Sequence, residues 1–218
     1  MRRGLFLDLD GTLADSLSVM KAVFFAFHAR RGLTCTDADF EKVNGPPLSE
    51  IVSGIRSRHR LSETAGELLA EYWRLIDAAY IEVSAVEGAE ELLRVASERR
   101  WISAIVTSSS ERVAREWLRR RALDGFISDV IGAESVQEGK PSSVPYRVAL
   151  DRTGADPRAS IAVEDSPAGV ASARGAGLFT FFLDRHGEAA VSDGAVSPGA
   201  RGGFETVRSL REVLPRIA

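Results

Sequence analysis

The chain has 218 residues, of which 44% are hydrophobic and 27% are charged, with a formal net charge of -3 and a single cysteine, Cys35. This is the composition of an ordinary globular protein, and the lack of basic excess disfavours a nucleic-acid or membrane-surface partner. No apolar stretch is long enough to span a bilayer, and Asp8 and Asp10 interrupt the one segment that resembles a signal peptide. Because one cysteine permits no internal disulfide, we expect a cytoplasmic protein.

The first predicted element is a strand over residues 4–9, whose end reads Asp8-Leu9-Asp10-Gly11-Thr12. Side chains two positions apart on a strand lie on the same face, so both carboxylates point the same way. A solvated turn would account for Gly11 but not for two acids at this spacing. Mg²⁺ is commonly held by one or two carboxylates, with water and phosphate oxygens completing its shell. The end of this strand therefore predicts a magnesium site.

A long helical stretch follows the first strand. Apolar residues recur close to helical spacing, which predicts helices over residues 16–31, 37–43, 48–59 and 61–83. The sequence Asn44-Gly45-Pro46-Pro47 is a strong helix breaker between the second and third of them. An all-helical block placed directly after the first strand of an α/β domain indicates an inserted cap. We assign residues 15–85 to this cap.

The rest of the chain alternates strands with helices. Strands are predicted at residues 101–106, 127–131, 160–163 and 179–183, and helices at 88–100, 111–122, 144–152 and 168–175. Most of the strands are continuously apolar, which is typical of parallel strands covered on both faces. The predicted fold class is therefore α/β, a doubly wound, Rossmann-like parallel sheet formed by residues 1–14 and 86–218. A loose connection at 189–203 and a C-terminal helix at 205–217 complete the prediction.

Polar residues stand at the end of each of the first four predicted strands or in the loop that follows. After the first strand come Asp8 and Asp10, and the later ends supply Thr107 with Ser108, Lys140, and Glu164 with Asp165. Each has an ordinary structural explanation by itself, such as a strand-end hydroxyl, a solvated lysine or a helix cap. Ligands of open α/β sheets bind outside the carboxyl ends of the strands, where all these groups are expected to meet. Their joint position favours a functional site.

These four motifs resemble those of the haloacid dehalogenase superfamily, over essentially the whole chain. The motifs are Asp8-Leu9-Asp10-Gly11-Thr12, Thr107, Gly139-Lys140-Pro141, and Glu164-Asp165-Ser166-Pro167. The helical insertion resembles the small cap of the branch that contains phosphoglycolate phosphatases and β-phosphoglucomutases. The resemblance implies a phosphotransferase that uses Mg²⁺ and forms an aspartyl-phosphate.

The same resemblance implies a role for each motif residue. Asp8 is the expected nucleophile, and Asp10 is the expected acid and base. Thr107, Ser108 and Lys140 are expected to bind the phosphoryl group. Mg²⁺ is expected at the Asp8 carboxylate, the Asp10 main-chain carbonyl and Asp165, with Glu164 nearby or acting through water. The remaining expected substrate contacts come from the cap, at Ser16, Asn44 and Gly45.

The sequence departs from its relatives in two places. The third motif of the family often continues as Lys-Pro-x-Pro-Asp, but Val144 stands at the aspartate position in this chain. This departure leaves the orientation of Lys140 open. Ser143 is a candidate cap for the next helix in place of the aspartate. Mutases of the branch carry a cap histidine where this chain has Met20. Hydrolysis is therefore the preferred interpretation.

The expected substrate is a small phosphorylated metabolite, with phosphoglycolate as the lead, and the expected assembly is a monomer or weak homodimer. A mutase acting on sugar phosphates remains the alternative. A more remote alternative is a catalytically silent module that only binds phosphate. Such a protein would be expected to have lost at least one of the charged motif residues, but all of them are present: Asp8, Asp10, Lys140 and Asp165.

Overall fold

The computed structural model describes residues 1–43, 47–187 and 202–217. Within these ranges, six parallel strands form one sheet in the order β3-β2-β1-β4-β5-β6. The strands are β1 (Gly4–Leu7), β2 (Ile102–Val106), β3 (Ile127–Ile131), β4 (Ile161–Glu164), β5 (Phe179–Leu183) and β6 (Phe204–Val207). This parallel sheet with flanking helices agrees with the predicted α/β class.

The helices of the described ranges fall into two groups. The first four follow β1 directly and are called the inserted helices: α1 (Leu17–Ala29), α2 (Asp37–Glu41), α3 (Leu48–His59) and α4 (Ala65–Tyr80). The others accompany the sheet: α5 (Ala89–Glu98), α6 (Glu111–Arg120), α7 (Val144–Thr153), α8 (Pro167–Gly175) and α9 (Leu214–Ile217). No helix in the part of the chain described is both long and apolar enough to cross a membrane.

Both faces of the sheet are buried, as the continuous apolar strands predict. Leu5 and Leu7 of β1 are fully buried in the larger core cluster, which also contains Trp117 of α6 and extends into the inserted helices. Phe6, between them, belongs to a second cluster with Tyr146 of α7. Successive strand residues thus bury opposite faces. The central strand β1 is therefore packed on both faces, and the site lies at its end.

Most predicted helices are present with small shifts at their ends. The largest shift is in the fourth inserted helix, predicted over 61–83, which spans Ala65–Tyr80. Its start is fixed by a capping box, in which the Thr64 side chain accepts from the backbone N–H of Glu67 and the Glu67 carboxylate accepts from Thr64. The apolar periodicity extends past this cap, but the hydrogen bonds of the cap set the boundary.

Two predictions about strands and the C-terminus are wrong. The first strand ends at Leu7, not residue 9, because the chain turns there and the backbone N–H of Ala14 bonds back to the carbonyl of Leu9. The predicted helix over 205–217 is instead strand β6, a short 3-10 turn (Leu210–Val213) and the four-residue helix α9. Pairing along the edge of β5 overrides the weak helical pattern of this segment. Of the predicted loose connection, 189–201 lies outside the described residues.

Candidate active site

Residues from four strand ends line one cavity of about 110 Å³ at the carboxyl edge of the sheet. Asp8 follows β1, Thr107 follows β2, Lys140 lies in the loop after β3, and Asp165 follows β4. Because neighbouring parallel strands end at the same edge, residues up to 157 positions apart in the chain come together. The structure therefore brings these residues of the four predicted motifs together at one edge of the sheet.

The Lys140 ammonium is buried between two carboxylates. Its Nζ lies 2.5 Å from Asp8 Oδ1 and 2.5 Å from Glu164 Oε1. Burial by itself would lower the pKa of Lys140, but the charges of Asp8 and Glu164 outweigh that effect and raise it. Lys140 therefore stays protonated. The departure at Val144 leaves this placement intact, and Ser143 occupies the N-cap position of α7 without a side-chain cap bond.

Asp8 is 6% exposed and only one of its carboxylate oxygens has a partner within the described structure. Burial raises the pKa of its carboxyl, Lys140 opposes that rise, and the negative charges of Glu164 and Asp10 add to it. Oδ1 is bound by Lys140, whereas the buried Oδ2 makes no hydrogen bond. A buried carboxylate oxygen without a donor is costly, so Oδ2 has the properties expected of an atom that meets a cation or a reacting phosphorus.

Oxygen atoms of Asp8, Glu164 and Asp165 form a group of candidate metal ligands. One carboxylate oxygen from each lies within 4.8 Å of the other two. Burial, together with the charges of Asp8 and Glu164, raises the pKa of Asp165 well above its ordinary value. Four carboxylates, those of Asp8, Asp10, Glu164 and Asp165, meet one ammonium here. Hard oxygen donors with surplus negative charge fit Mg²⁺.

Gly11 makes room for Asp165 in this group. Its φ is +86°, a left-handed conformation that favours glycine. A Cβ at this position would lie 1.9 Å from Asp165 Oδ2. The first motif therefore needs glycine both for its turn and for the approach of a carboxylate from the fourth motif.

Glu164 is fully buried and held by polar partners on several sides. Besides Lys140, it accepts a hydrogen bond of 2.6 Å from the Tyr146 hydroxyl and one of 3.4 Å from Ser166 Oγ. A Cβ at Gly169 would lie 1.9 Å from Glu164 Oε2, so the start of α8 also depends on glycine. Burial and the neighbouring Glu164 charge hold the pKa of Tyr146 well above its ordinary range, which keeps this phenol a donor.

The Asp10 carboxylate accepts hydrogen bonds from three hydroxyl groups. Ser16 and Tyr80 donate to Oδ1 at 2.7 and 2.5 Å, and Ser109 donates to Oδ2 at 2.7 Å. Ser16, predicted to touch substrate, is fully buried beside Asp10 and is not among the residues that line the cavity. The donors come from before α1, from the end of α4 and from the loop after β2. They fix the carboxylate from three directions.

The remaining predicted phosphate contacts are placed at the cavity wall. Thr107 is 5% exposed and lines the cavity together with the half-buried Ser108. The Thr107 hydroxyl accepts a hydrogen bond from the Ser109 backbone N–H, and Ser110 caps α6. Asn44 and Gly45, the other predicted cap contacts, lie outside the described residues.

Sequence reasoning missed Tyr80, Ser109 and Tyr146. Ser109 stands inside the Ser-Ser-Ser run after β2, where only Ser108 is predicted to contact the phosphoryl group. Tyr80 and Tyr146 lie on predicted helices at positions compatible with simple packing. Their roles depend on which carboxylate each hydroxyl meets across 70 and 18 residues of chain, and no local pattern carries that information.

Comparisons with known proteins agree with this geometry. The model of the haloacid dehalogenase-like hydrolase family matches residues 5–183. Hexitol phosphatase A of Escherichia coli (strain K12) is 32% identical over 180 residues, covering 80% of each chain. A phosphoglycolate phosphatase of Xanthomonas campestris pv. campestris is 28% identical over 178 residues, covering 81% of this chain and 80% of the relative. The β-phosphoglucomutase of Clostridium difficile shares the fold, with a TM-score of 0.76, 17% identity and coverage of 84% and 85%.

The chain belongs to the haloacid dehalogenase-like hydrolase family. Its relatives are named phosphatases, and the chain is accordingly a phosphoric monoester hydrolase.

Proposed function

We propose that this protein hydrolyses a small phosphorylated metabolite with the help of Mg²⁺, through an aspartyl-phosphate formed on Asp8. The observation that carries the proposal is the unequal environment of the two Asp8 oxygens. Lys140 neutralises Oδ1, while Oδ2 is buried without a donor, and one oxygen of Asp8 lies within 4.8 Å of carboxylate oxygens of Glu164 and Asp165. A carboxylate held in this way has one oxygen left free to meet an electrophile or a cation.

The proposed reaction has two displacements. In the first, an Asp8 oxygen forms a bond to phosphorus, the bond from phosphorus to the ester oxygen breaks, and the leaving alcohol takes the proton of Asp10, which enters this step as a carboxylic acid. In the second, Asp10 takes a proton from water as that water attacks phosphorus. The bond from phosphorus to Asp8 then breaks and inorganic phosphate leaves, so that Asp8 is again a carboxylate and Asp10 again a carboxylic acid.

The residues of this chain divide the remaining work. Lys140 places a positive charge beside Asp8 and, with Thr107 and Ser108, faces the phosphoryl oxygens. Asp8, Asp165 and the main-chain carbonyl of Asp10 would hold Mg²⁺, with Glu164 nearby or acting through water. When bound, the ion supplies positive charge that offsets repulsion between the Asp8 anion and a phosphate dianion. Positioning and electrostatics carry most phosphoryl transfer, so this set of groups is sufficient.

The inserted helices supply the rest of the proposed site. We propose that residues 15–85 form a cap over a core made of residues 1–14 and 86–218. Met20 lines the cavity at the position where mutases of the branch carry a histidine, which supports hydrolysis over transfer to a sugar phosphate. A cytoplasmic location and a monomeric or weakly dimeric state stay predictions, and so does phosphoglycolate, the lead substrate expected from the sequence, which the charges of the cavity disfavour.

The test is Mg²⁺-dependent release of phosphate from p-nitrophenyl phosphate. Activity should disappear with a chelator, return with added Mg²⁺, and fall strongly in Asp165→Asn. Asp151→Asn, a change at an exposed aspartate of α7, is the matched control and should behave as wild type. Full activity in the chelator or in Asp165→Asn would refute the proposed metal site. When the Asp10→Asn variant is quenched with acid during turnover and digested, mass spectrometry should find one additional phosphoryl group on the peptide that contains Asp8.

A further inference from the structure

The wall of the cavity opposite the catalytic carboxylates is apolar. Eight side chains of the inserted helices line it within the described structure, together with Val43 after α2, and none carries a formal charge. They include Met20 from α1, Phe40 from α2, Leu48 and Ile51 from α3, and Trp73 from α4. The hydroxyl of Tyr72 and the indole N–H of Trp73 are the polar side-chain groups of that wall.

We infer that the substrate is a phosphate monoester whose alcohol is uncharged and predominantly apolar. The inference rests on the proposed function, because it uses Asp10 to locate the alcohol. The leaving oxygen must meet Asp10 to receive its proton, so the alcohol lies on the Asp10 side of the phosphoryl group. Asp10 lines this apolar cavity. A second and larger groove that reaches Thr107 and Lys140 does not include Asp10 among its described residues.

The charges at the site argue against an anionic alcohol such as glycolate. Lys140 is the cation among the described cavity residues, and it is already bound by Asp8 and Glu164. A second carboxylate would lie against hydrocarbon or near the acids of the floor, where the Tyr72 hydroxyl and the Trp73 indole N–H are neutral donors and no described cation is left to offset its charge. A polyol would likewise leave hydroxyl groups facing Leu48 and Ile51 without acceptors, whereas a branched alkyl group gains by leaving water.

The size of the cavity limits the alcohol to a compact group. An apolar cavity of about 150 Å³ holds one benzene molecule, and this cavity of about 110 Å³ must hold the phosphoryl group beside Asp8 and Lys140 as well, so the alcohol is limited to a short branched chain or a small ring. Phe40 and Trp73 provide flat faces against which such a group can pack.

The experiment compares three primary phosphate esters on the wild-type protein: 3-methylbutyl phosphate, glycerol 3-phosphate and 2-phosphoglycolate. The first two leave alcohols with the same total number of non-hydrogen atoms, so they differ in polarity and little in size. We expect kcat/KM for 3-methylbutyl phosphate to exceed both others by about tenfold or more. Equal or higher kcat/KM for either polar ester overturns the inference and leaves the proposed function standing. Failure to hydrolyse any ester, including p-nitrophenyl phosphate, overturns both.

A charged variant provides an independent check. Met20→Lys places an ammonium in the apolar wall and should shift the kcat/KM ratio toward 2-phosphoglycolate by about tenfold. Ser18→Lys adds the same charge to an exposed position of the same helix and should leave the ratio unchanged. Equal ratios in the two variants count against the inference. The wild-type comparison stands even if Met20→Lys fails to fold.

Discussion

The Tyr80 hydroxyl donates a hydrogen bond of 2.5 Å to Asp10 Oδ1, which joins the last inserted helix to the proposed acid and base. Tyr80 is 4% exposed, and burial together with the Asp10 charge holds its pKa well above the ordinary range. The phenol therefore remains a donor. Since Ser16 and Ser109 bind the same carboxylate, Asp10 is oriented jointly by the inserted helices and the sheet.

Tyr80→Phe should lower kcat by about tenfold, because a hydrogen bond to a charged group is lost while Ser16 still binds the same oxygen. KM and the Mg²⁺ dissociation constant should change little, since Tyr80 is not among the residues that line the cavity. Steady-state kinetics and metal titration measure these quantities. A rise in KM with unchanged kcat would show that Tyr80 serves substrate binding and not the position of Asp10.

Asp8→Asn should reduce turnover more than a hundredfold while the protein stays folded. An amide is nearly isosteric but a poor nucleophile, and losing one general acid or base costs about 10²–10⁴-fold. Lys140 keeps Glu164 as a partner, so the buried ammonium is not left alone. Asp15→Asn, at an exposed aspartate paired with Arg185, is the control. Residual activity above about a hundredth would argue against covalent catalysis at Asp8.

Lys140→Met should destabilise the metal-free protein by about 3–5 kcal/mol, because it leaves Asp8 and Glu164 buried without their cation. Urea unfolding measures the free energy of unfolding with and without Mg²⁺. Added Mg²⁺ should restore part of the loss by supplying charge to the same carboxylates. Lys42→Met removes an exposed lysine and should change stability little. Equal effects from the two variants would contradict the buried network.

Gly11→Ala should weaken Mg²⁺ binding at least as much as a direct change of Asp165. The new Cβ would occupy the space of Asp165 Oδ2, and φ is unfavourable for alanine. Isothermal titration of Mg²⁺ into the variant gives the dissociation constant. Gly66→Ala is the matched control, since that helical glycine has open space around its Cβ position. Unchanged Mg²⁺ affinity in Gly11→Ala would remove Asp165 from the set of ligands.

The sheet and most helices follow from the sequence because their apolar patterns are long. The strand over 127–131 and the helix over 48–59 were predicted with the bounds that the structure has. Strand β6 was not predicted, because Phe204-Glu205-Thr206-Val207 is only four residues long and its extended conformation depends on pairing with β5. Short elements depend on tertiary partners more than on local pattern.

The sequence motifs predict which residues meet at the site, but they do not predict the contacts that these residues make with one another and with their neighbours. The ends of β1, β2 and β4 and the loop after β3 were expected to converge, and they do so around Asp8. The hydroxyl groups that bind Asp10 were not identified, since Tyr80 and Ser109 are specified only by packing across the fold. The nearest sequence signal was the Ser-Ser-Ser run after β2.

The stability of the inserted helices should depend on pH through His28. This residue is 3% exposed on α1, with Nδ1 at 2.8 Å from the Phe24 carbonyl oxygen and its ring packed against Phe24. Burial lowers its pKa, the Phe24 carbonyl opposes that effect, and His59 adds to it. The charged groups around it are Asp39, Lys42, Glu50, Arg58 and Arg31.

Because the folded pKa of His28 lies below that of the unfolded chain, the unfolded state binds the proton first as the pH falls. The contribution of His28 to stability is thus fully present above the unfolded value of about 6.5 and is lost below it. The free energy of unfolding should decline between about pH 7 and about pH 5.5, and the decline should be smaller in His28→Phe. His186→Gln, at an exposed histidine, should keep the wild-type slope. An identical slope in His28→Phe would assign the pH dependence to other groups, with the buried carboxylates as the first to test.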